Sequence, residues 1–295
     1  ADSLSRIYMT GDYTNYGYFS MVGNLWIDFG KNKQPVQNYL RGIDLSTSRG
    51  FVEYTQGGVQ FNREYFCSYP DKLMALHFTA DKAGKISFSL SHSLVYQPEE
   101  VIESENGLTF NGIIRENGLG YTIRIKIVQQ GGSVKVAHQR IVVEKANEAT
   151  VFYAVDTEYA PVYPLYKGEN PQQNTGKVIT KAITKGYETV KNTHISDYQT
   201  LYNRVRFTLT GDTASEQLPT NVRVKQLQEG FTDDASLKVL GFNLSRYLLI
   251  SASRPGTLPS TLQGVWNTVL PVKTNFIFRQ KKDLLKREHG QWDFR

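Results

Sequence analysis

A chain of 295 residues has room for one large domain or two ordinary ones. With 40% hydrophobic and 21% charged residues it is not a disordered chain, and no apolar run approaches the ~18 residues of a membrane span. The net charge of +6 points only weakly to nucleic acid: from Thr268 onward seven Lys/Arg oppose three Asp/Glu, so +4 belongs to the last 28 residues and about +2 to the rest.

The opening residues, ADSLSRIYMTGDYTNYGYF, show no basic start followed by an apolar stretch, so no signal peptide is visible in them. The first half then alternates with period two. GNLWIDF places Leu25, Ile27 and Phe29 on one face. FVEYTQGGVQFNREYF reads as two strands around Gly57-Gly58, because glycine accepts the positive φ of a tight hairpin turn. Cys67 is the only cysteine, which rules out an internal disulfide and a cysteine zinc cluster; its strand-like setting predicts a small core residue. KLMALHFTADKAGKISFSLSHSL aligns Met74, Leu76 and Phe78, turns at Asp81–Gly84, and aligns Ile86, Phe88 and Leu90. YTIRIKIVQQGGSVKV sets Ile123, Ile125 and Ile127 against Arg124 and Lys126, with a third turn at Gly131-Gly132, and IVVEKANEATVFYAVDT continues the style. Many such strands in a row predict a mainly β fold, a large antiparallel β-sandwich over residues 1–168.

The character then changes. EYAPVYPLYKGENPQQNTG is a Pro/Gly/Asn-rich connection, after which KVITKAITKGYETV puts Val178, Ala182, Ile183, Tyr187 and Val190 at helical spacing. THISDYQTLYNRV predicts a second helix, capped by Thr193 or Ser196, and RFTLT a return to a strand, so residues 169–212 form a helical linker. In TDDASLKVLGFNLSRYLLISASRPG, Thr232 is the predicted N-cap, with Asp233 and Asp234 favouring the helix dipole. That helix runs to about Ser251, where Pro255-Gly256 stop it. Its apolar residues, among them Leu237, Leu240, Phe242, Leu244, Leu248 and Leu249, surround most of its circumference and call for neighbours on nearly all sides. Residues 213–267 therefore read as the start of a helical domain, and 268–295 as a basic tail without pattern.

Chemistry is hard to find by motif. There is no phosphate loop, no dinucleotide fingerprint and no Gly-x-Ser-x-Gly elbow; Gly118-Leu119-Gly120 lies between strands and is a turn. The histidines (77, 92, 138, 194, 289) include no pair at metal spacing, so neither metal nor cofactor is expected. His77 faces away from the apolar side of its strand, as a surface or interface residue would. His194, opening a helix beside Asp197, suits capping or packing. Glycoside hydrolysis needs two carboxylates flanking a cleft. Asp28, Glu53, Glu64 and Asp71 are in or beside strands, and nothing in the sequence pairs them. Asn243-Leu244-Ser245 fits a glycosylation acceptor in form but lies mid-helix.

Several segments resemble glycoside hydrolase family 95, the inverting α-L-fucosidases. GNLWIDF resembles that family's Gly-(Asp/Asn)-Leu-x-(Leu/Ile)-Asp-Phe strand, and YLRGIDLSTSRGFVEYTQGGVQFNREYFCSYPD its Arg-Glu-Leu-Asp-Leu and Arg-Glu-Tyr-Phe segment, with Gly42 and Ile43 replacing Glu-Leu. HISDYQTLYNRV is similar to its His-x-x-Asp-Tyr linker motif, and RYLLISASRPGTLPSTLQGVWN to the signature at its first barrel helices; the match covers residues 11–267.

The resemblance implies a super-β-sandwich, a helical linker and the first helices of an (α/α)6 toroid, incomplete here. It implies inverting hydrolysis of terminal α-1,2-linked L-fucose by a glutamic acid and an asparagine-assisted aspartate. Those groups follow the Leu-Gln-Gly-x-Trp-Asn stretch in the family, and none can be carried onto this chain. Gln263, Trp266 and Asn267 match the signature and either line a sugar site or fix the first barrel helices to the sandwich. After Asn267 the family's Asn-x-Asn segment is missing, so the chain is expected to be truncated at both ends, with a frameshifted tail, and inactive as it stands. Fucosylated glycans are the implied ligands, and neither nucleic acid nor membrane is an expected partner. The family origin implies an exported or periplasmic bacterial protein. Unmatched helix faces and open sheet edges predict self-association. The alternative reading is a non-catalytic carbohydrate-binding sandwich, with Trp26, Tyr96 or Tyr121 stacking on sugar rings.

Overall fold

The computed structural model describes residues 21–115, 117–211, 214–230 and 233–257. Twelve strands come first: β1 (Gly23–Asp28), β2 (Val36–Asp44), β3 (Arg49–Gln56), β4 (Val59–Ser68), β5 (Leu73–Ala80) and β6 (Ile86–Leu94). They continue with β7 (Glu100–Ser104), β8 (Gly107–Ile114), β9 (Leu119–Gln130), β10 (Ser133–Ala137), β11 (Arg140–Ala146) and β12 (Glu148–Thr157). All pairings between them are antiparallel. A small sheet runs β1-β6-β11-β10 and a large one β2-β3-β4-β5-β12-β9-β8-β7.

The period-two rows become the inter-sheet core. Ile123, Ile125, Ile127, Val151 and Phe78 of the large sheet and Phe88, Leu90, Ile141 and Val143 of the small one are all buried. Phe29, beside β1, meets Phe78 edge-on at 5.3 Å and Phe88 at 5.7 Å between ring centroids. Gly57 and Gly58 both take positive φ in the β3–β4 hairpin, as the turn chemistry predicts. Gly131 and Gly132 also turn with positive φ, but the chain there changes sheets instead of making a hairpin. It pairs β10 with β11 in the small sheet and returns as β12 beside β9, with Glu148 opposite Gln130.

The other face of the large sheet is covered by two helices, α1 (Pro171–Lys185) and α2 (Tyr187–Tyr202). Ile179, Ala182 and Val190 pack there on Phe66, Leu73, Ala75, Phe152 and Ala154. α1 begins earlier than the apolar spacing implies. The Asn170 side chain accepts hydrogen bonds from the Gln172 and Gln173 N–H groups, and Pro171 takes the first helical position, where its missing N–H is harmless. The expected single helix through Val190 is broken at Gly186, whose φ of 74° ends α1 and redirects the chain. α2 then runs unbroken, so Thr193 and Ser196 are interior and cap nothing; the Thr193 hydroxyl donates to the Thr189 carbonyl.

RFTLT does not return to a strand: residues 205–210 join neither sheet among the described residues. A 3-10 turn (Ala214–Gln217), α3 (Thr220–Gln228) and α4 (Ala235–Ala252) follow. Asp234 caps α4, its carboxylate accepting from the Leu237 N–H at 2.8 Å; Thr232, the expected cap, lies outside the described residues. The architecture is the expected mainly β sandwich followed by a few helices.

Candidate functional site at the sandwich–helix junction

The residues most conspicuous in the sequence converge where α2 and α4 meet the edge of the sandwich. The β2–β3 connection, Leu45-Ser46-Thr47-Ser48, presents a row of carbonyls to α2. His194 Nε2–H donates to the Thr47 and Ser48 carbonyls at 3.1 and 3.2 Å, and the Tyr198 hydroxyl to the Leu45 carbonyl at 2.8 Å. These acceptors fix the neutral tautomer of His194, which also stacks on Phe66 at 4.7 Å. Burial pushes its pKa down despite those carbonyls. The packing role expected for His194 holds, but at mid-helix and not at a helix start.

The next two motif residues hold α4. Asp197 Oδ2 receives Arg254 Nη2 at 2.5 Å, and the Arg254 guanidinium lies 4.3 Å from the Tyr69 ring centroid. The Tyr69 hydroxyl donates to the Pro255 carbonyl. Arg246, projecting from α4, donates to the Leu201, Tyr202 and Val205 carbonyls and so satisfies the C-terminal end of α2. At the other end of α4, Arg223 of α3 makes a two-pronged pair with Asp234 at 2.9 Å on both oxygens. Its hydrogen bonds hold the Asp234 carboxyl well below the usual range.

Glu64 of the Arg-Glu-Tyr stretch is the hub of the junction. Arg49 Nη1 donates to it at 2.6 Å, the Tyr187 hydroxyl at 2.7 Å, and Lys191 lies 3.6 Å away. Burial opposes ionisation, but the tyrosine, the lysine and the arginine outweigh it and keep the Glu64 pKa low. Burial and the Glu64 carboxylate push the Tyr187 hydroxyl far upward. Glu64 is therefore an anchored anion and a poor proton donor.

The four carboxylates considered for hydrolysis do not form a pair across a cleft. Glu53 and Glu64 share a face of the large sheet, through the registers Glu53↔Asn62 and Phe51↔Glu64. Asp28 sits on β1 of the other sheet, accepting from the Gly30 N–H, and Asp71 is held by Ser68 and by Lys185 at 2.6 Å. Gln263, Trp266 and Asn267 lie outside the described residues. Of the candidate stacking aromatics, Trp26 is 60% exposed and Tyr121 is 3% exposed, so Tyr121 presents no face to a ligand. Cys67 is exposed on the strand face opposite Phe66 and is not the small core residue expected.

A cavity of about 290 Å³ opens at the helix break, between His77 and Glu148 on the sheet and Lys185, Gly186, Glu188 and Thr189 on the helices. His77 is the interface residue the alternation implies: it stacks on Tyr187 at 3.9 Å, and its Nδ1 is 2.9 Å from the Thr150 hydroxyl. No sequence signal pointed to Gly186 as a cavity edge. The Lys-Gly-Tyr tripeptide inside an otherwise helical pattern is the one feature that could have done so. Among the described residues no group of three or more His, Cys, Asp or Glu could hold a metal, and no helix is long and apolar enough to cross a membrane.

Comparison with known proteins accounts for both halves of this arrangement. Residues 186–275, beginning at the glycine that breaks the helix pair, match the glycosyl hydrolase family 95 catalytic domain. Three curated relatives are similar across most of the chain. "Probable alpha-fucosidase A" of Aspergillus niger is 30% identical over 270 residues, covering 88% of this chain and 34% of the relative. "Alpha-L-fucosidase 2" of Arabidopsis thaliana is 30% identical over 279 residues (84% and 33%), and "Probable alpha-fucosidase A" of Aspergillus oryzae 28% identical over 283 residues (87% and 37%). The chain thus spans about a third of the length of the curated relatives it matches. With residues 2–161 matching the glycosyl hydrolase family 65 N-terminal domain, more than half of its length, the chain belongs to that domain family and joins it to a segment similar to the catalytic domain of family 95.

Proposed function

We propose that this chain is the sandwich and linker portion of a glycoside hydrolase related to the α-L-fucosidases. In this reading residues 1–168 are the sandwich, 169–212 the linker, and 213–267 the first helices of an (α/α)6 domain. The reaction of the whole enzyme is hydrolysis, with inversion, of a terminal α-1,2-linked L-fucose on a glycan. The observation that carries the reading is the junction itself. The residues that resemble family 95 most closely, His194, Asp197, Tyr198, Arg246 and Arg254, all bind the sandwich, the linker and α4 to one another. Such a set of contacts serves to set a helical domain at a fixed angle on a β platform.

The chain's own residues supply positioning. Glu64, the hub of the junction, is held ionised by Tyr187, Lys191 and Arg49 and cannot protonate a leaving oxygen near neutral pH. We infer that the chain alone does not turn over fucosides. Purified chain incubated with 4-nitrophenyl α-L-fucoside and with 2′-fucosyllactose is expected to release no fucose above the buffer rate. Turnover abolished by a single Asp or Glu substitution would overturn that inference. Gln263, Trp266 and Asn267 are proposed to line the sugar site of the whole enzyme, which Trp266→Ala would test by raising KM in a full-length relative bearing the same motif.

A further inference from the structure

The cavity at the α1–α2 break has walls that the docking contacts do not explain. The His77–Tyr187 stack, with rings 14° from parallel, is part of its lining. Glu148, Glu188 and Thr189 line it with Gly186, where a side chain would meet nothing within 4 Å. From Glu148 a polar row crosses the large sheet in register: Glu148↔Thr79, Thr79↔Asn62, Asn62↔Glu53. Side chains directly opposite one another lie on the same face, so the row continues the polar surface of the sheet beyond the cavity.

We propose that this cavity is a binding site for one neutral sugar ring. The volume stands at the low end of ligand pockets and suits a single ring. The groups around it mix acceptors (Glu148, Glu188) with donors (the Thr189 hydroxyl and the first-turn N–H groups of α2, which has no side-chain cap). Hydroxyls of a polyol donate and accept at once, so such a mixture suits them. Anions are disfavoured, because the Lys185 ammonium is already held by Asp71 at 2.6 Å and Lys191 by Glu188 at 2.8 Å. The site is independent of hydrolysis: a chain with no turnover binds here equally well.

The test is titration of the full chain with L-fucose and with D-galactose, followed by calorimetry or ligand-observed NMR, with D-glucuronate and D-glucosamine as charged probes. Saturable millimolar binding of one neutral sugar is expected. Glu148→Ala should weaken it by about tenfold, and Thr189→Trp, an exposed helix position whose new ring fills the cavity, should abolish it. Melting of both variants is followed in parallel, so that if one fails to fold the other decides. No saturable binding of either neutral sugar, unchanged binding in both folded variants, or tighter binding of a charged probe would each overturn the proposal.

Discussion

β12 and α4 are both rich in apolar residues, and they are held in opposite ways. Five of the ten β12 residues are buried, with Val151 facing the small sheet and Phe152 facing α1 and α2. Only Leu237 of the eighteen α4 residues is buried; Phe242, Leu244, Leu248 and Leu249 remain exposed. What fixes α4 is polar: Asp234 with Arg223 at its start, Arg246 in its interior, and Arg254 just past its end. An apolar sequence therefore does not by itself make a buried element. The sandwich is stabilised by area removed from water, and α4 by a few directed contacts.

The largest way to break this contrast is Phe152→Ala, which opens a cavity under both helices. A loss of about 3–5 kcal/mol and a fall of roughly 10 °C in the main melting transition are expected by calorimetry. Arg254→Ala should act elsewhere. Removing the partner of Asp197 and the contact with Tyr69 is expected to cost about 1.5–3 kcal/mol, read as faster hydrogen exchange in residues 235–252 with little change in β9 and β12. If the sandwich melted earlier by a comparable amount, the two regions would be one cooperative unit and the contrast would fail.

Acid should weaken the junction through His77 and His194 and the sandwich through His92, whose pKa burial also lowers. Burial lowers the pKa of His77 and His194 below the ordinary 6.5. Between the lowered values and about 6.5 the unfolded chain binds protons that the folded chain refuses, so stability is complete above that window and declines as pH falls through it. Glu64, lowered from 4.5, adds a second loss further down in pH. Urea midpoints measured from pH 7.5 to 5.5 should fall steadily, and a His77→Gln/His194→Gln double variant should show a flatter profile.

A smaller effect on stability, though a visible one on behaviour, is expected from Leu248→Lys/Leu249→Lys. Both positions are exposed, so the stability change should stay within about 0.5 kcal/mol. Self-association, judged by elution at rising concentration, should diminish. Equally small is the effect expected of Trp26→Ala, at an exposed position on β1 whose indole N–H donates to the Ser93 hydroxyl; a change within about 0.5 kcal/mol is expected in the melt.

The contrast also separates what could be read from the chain from what could not. Strand faces were legible because period-two alternation is a property of each strand alone: Ile123, Ile125 and Ile127 point inward whichever neighbour they find. Partners were not legible. Gly131-Gly132 looks like Gly57-Gly58 in sequence, yet one pair closes a hairpin and the other carries the chain to a different sheet. Helical spacing likewise ran through Gly186, because Ala182 and Val190 bury against the same sheet from two separate helices. Of the candidate site, the motif residues were visible and their work was not. His194, Asp197 and Arg254 are polar residues of the sort that populate active sites, and only their partners, a loop carbonyl, an arginine and an aspartate, identify them as docking groups.

The excursion through β10 and β11 has a mechanical meaning. The chain leaves the large sheet after Gln130 and re-enters at Glu148, and those two residues face each other across the ladder. A pull on the N-terminal end of β9 and the C-terminal end of β12 opens their ladder from Tyr121↔Thr157 and reaches Gln130↔Glu148 last. The hairpin that builds half of the small sheet thus hangs outside the line of force. Under tension the large sheet would unzip strand from strand while β10 and β11 stayed paired, a load-sheltered loop inside a β-sandwich.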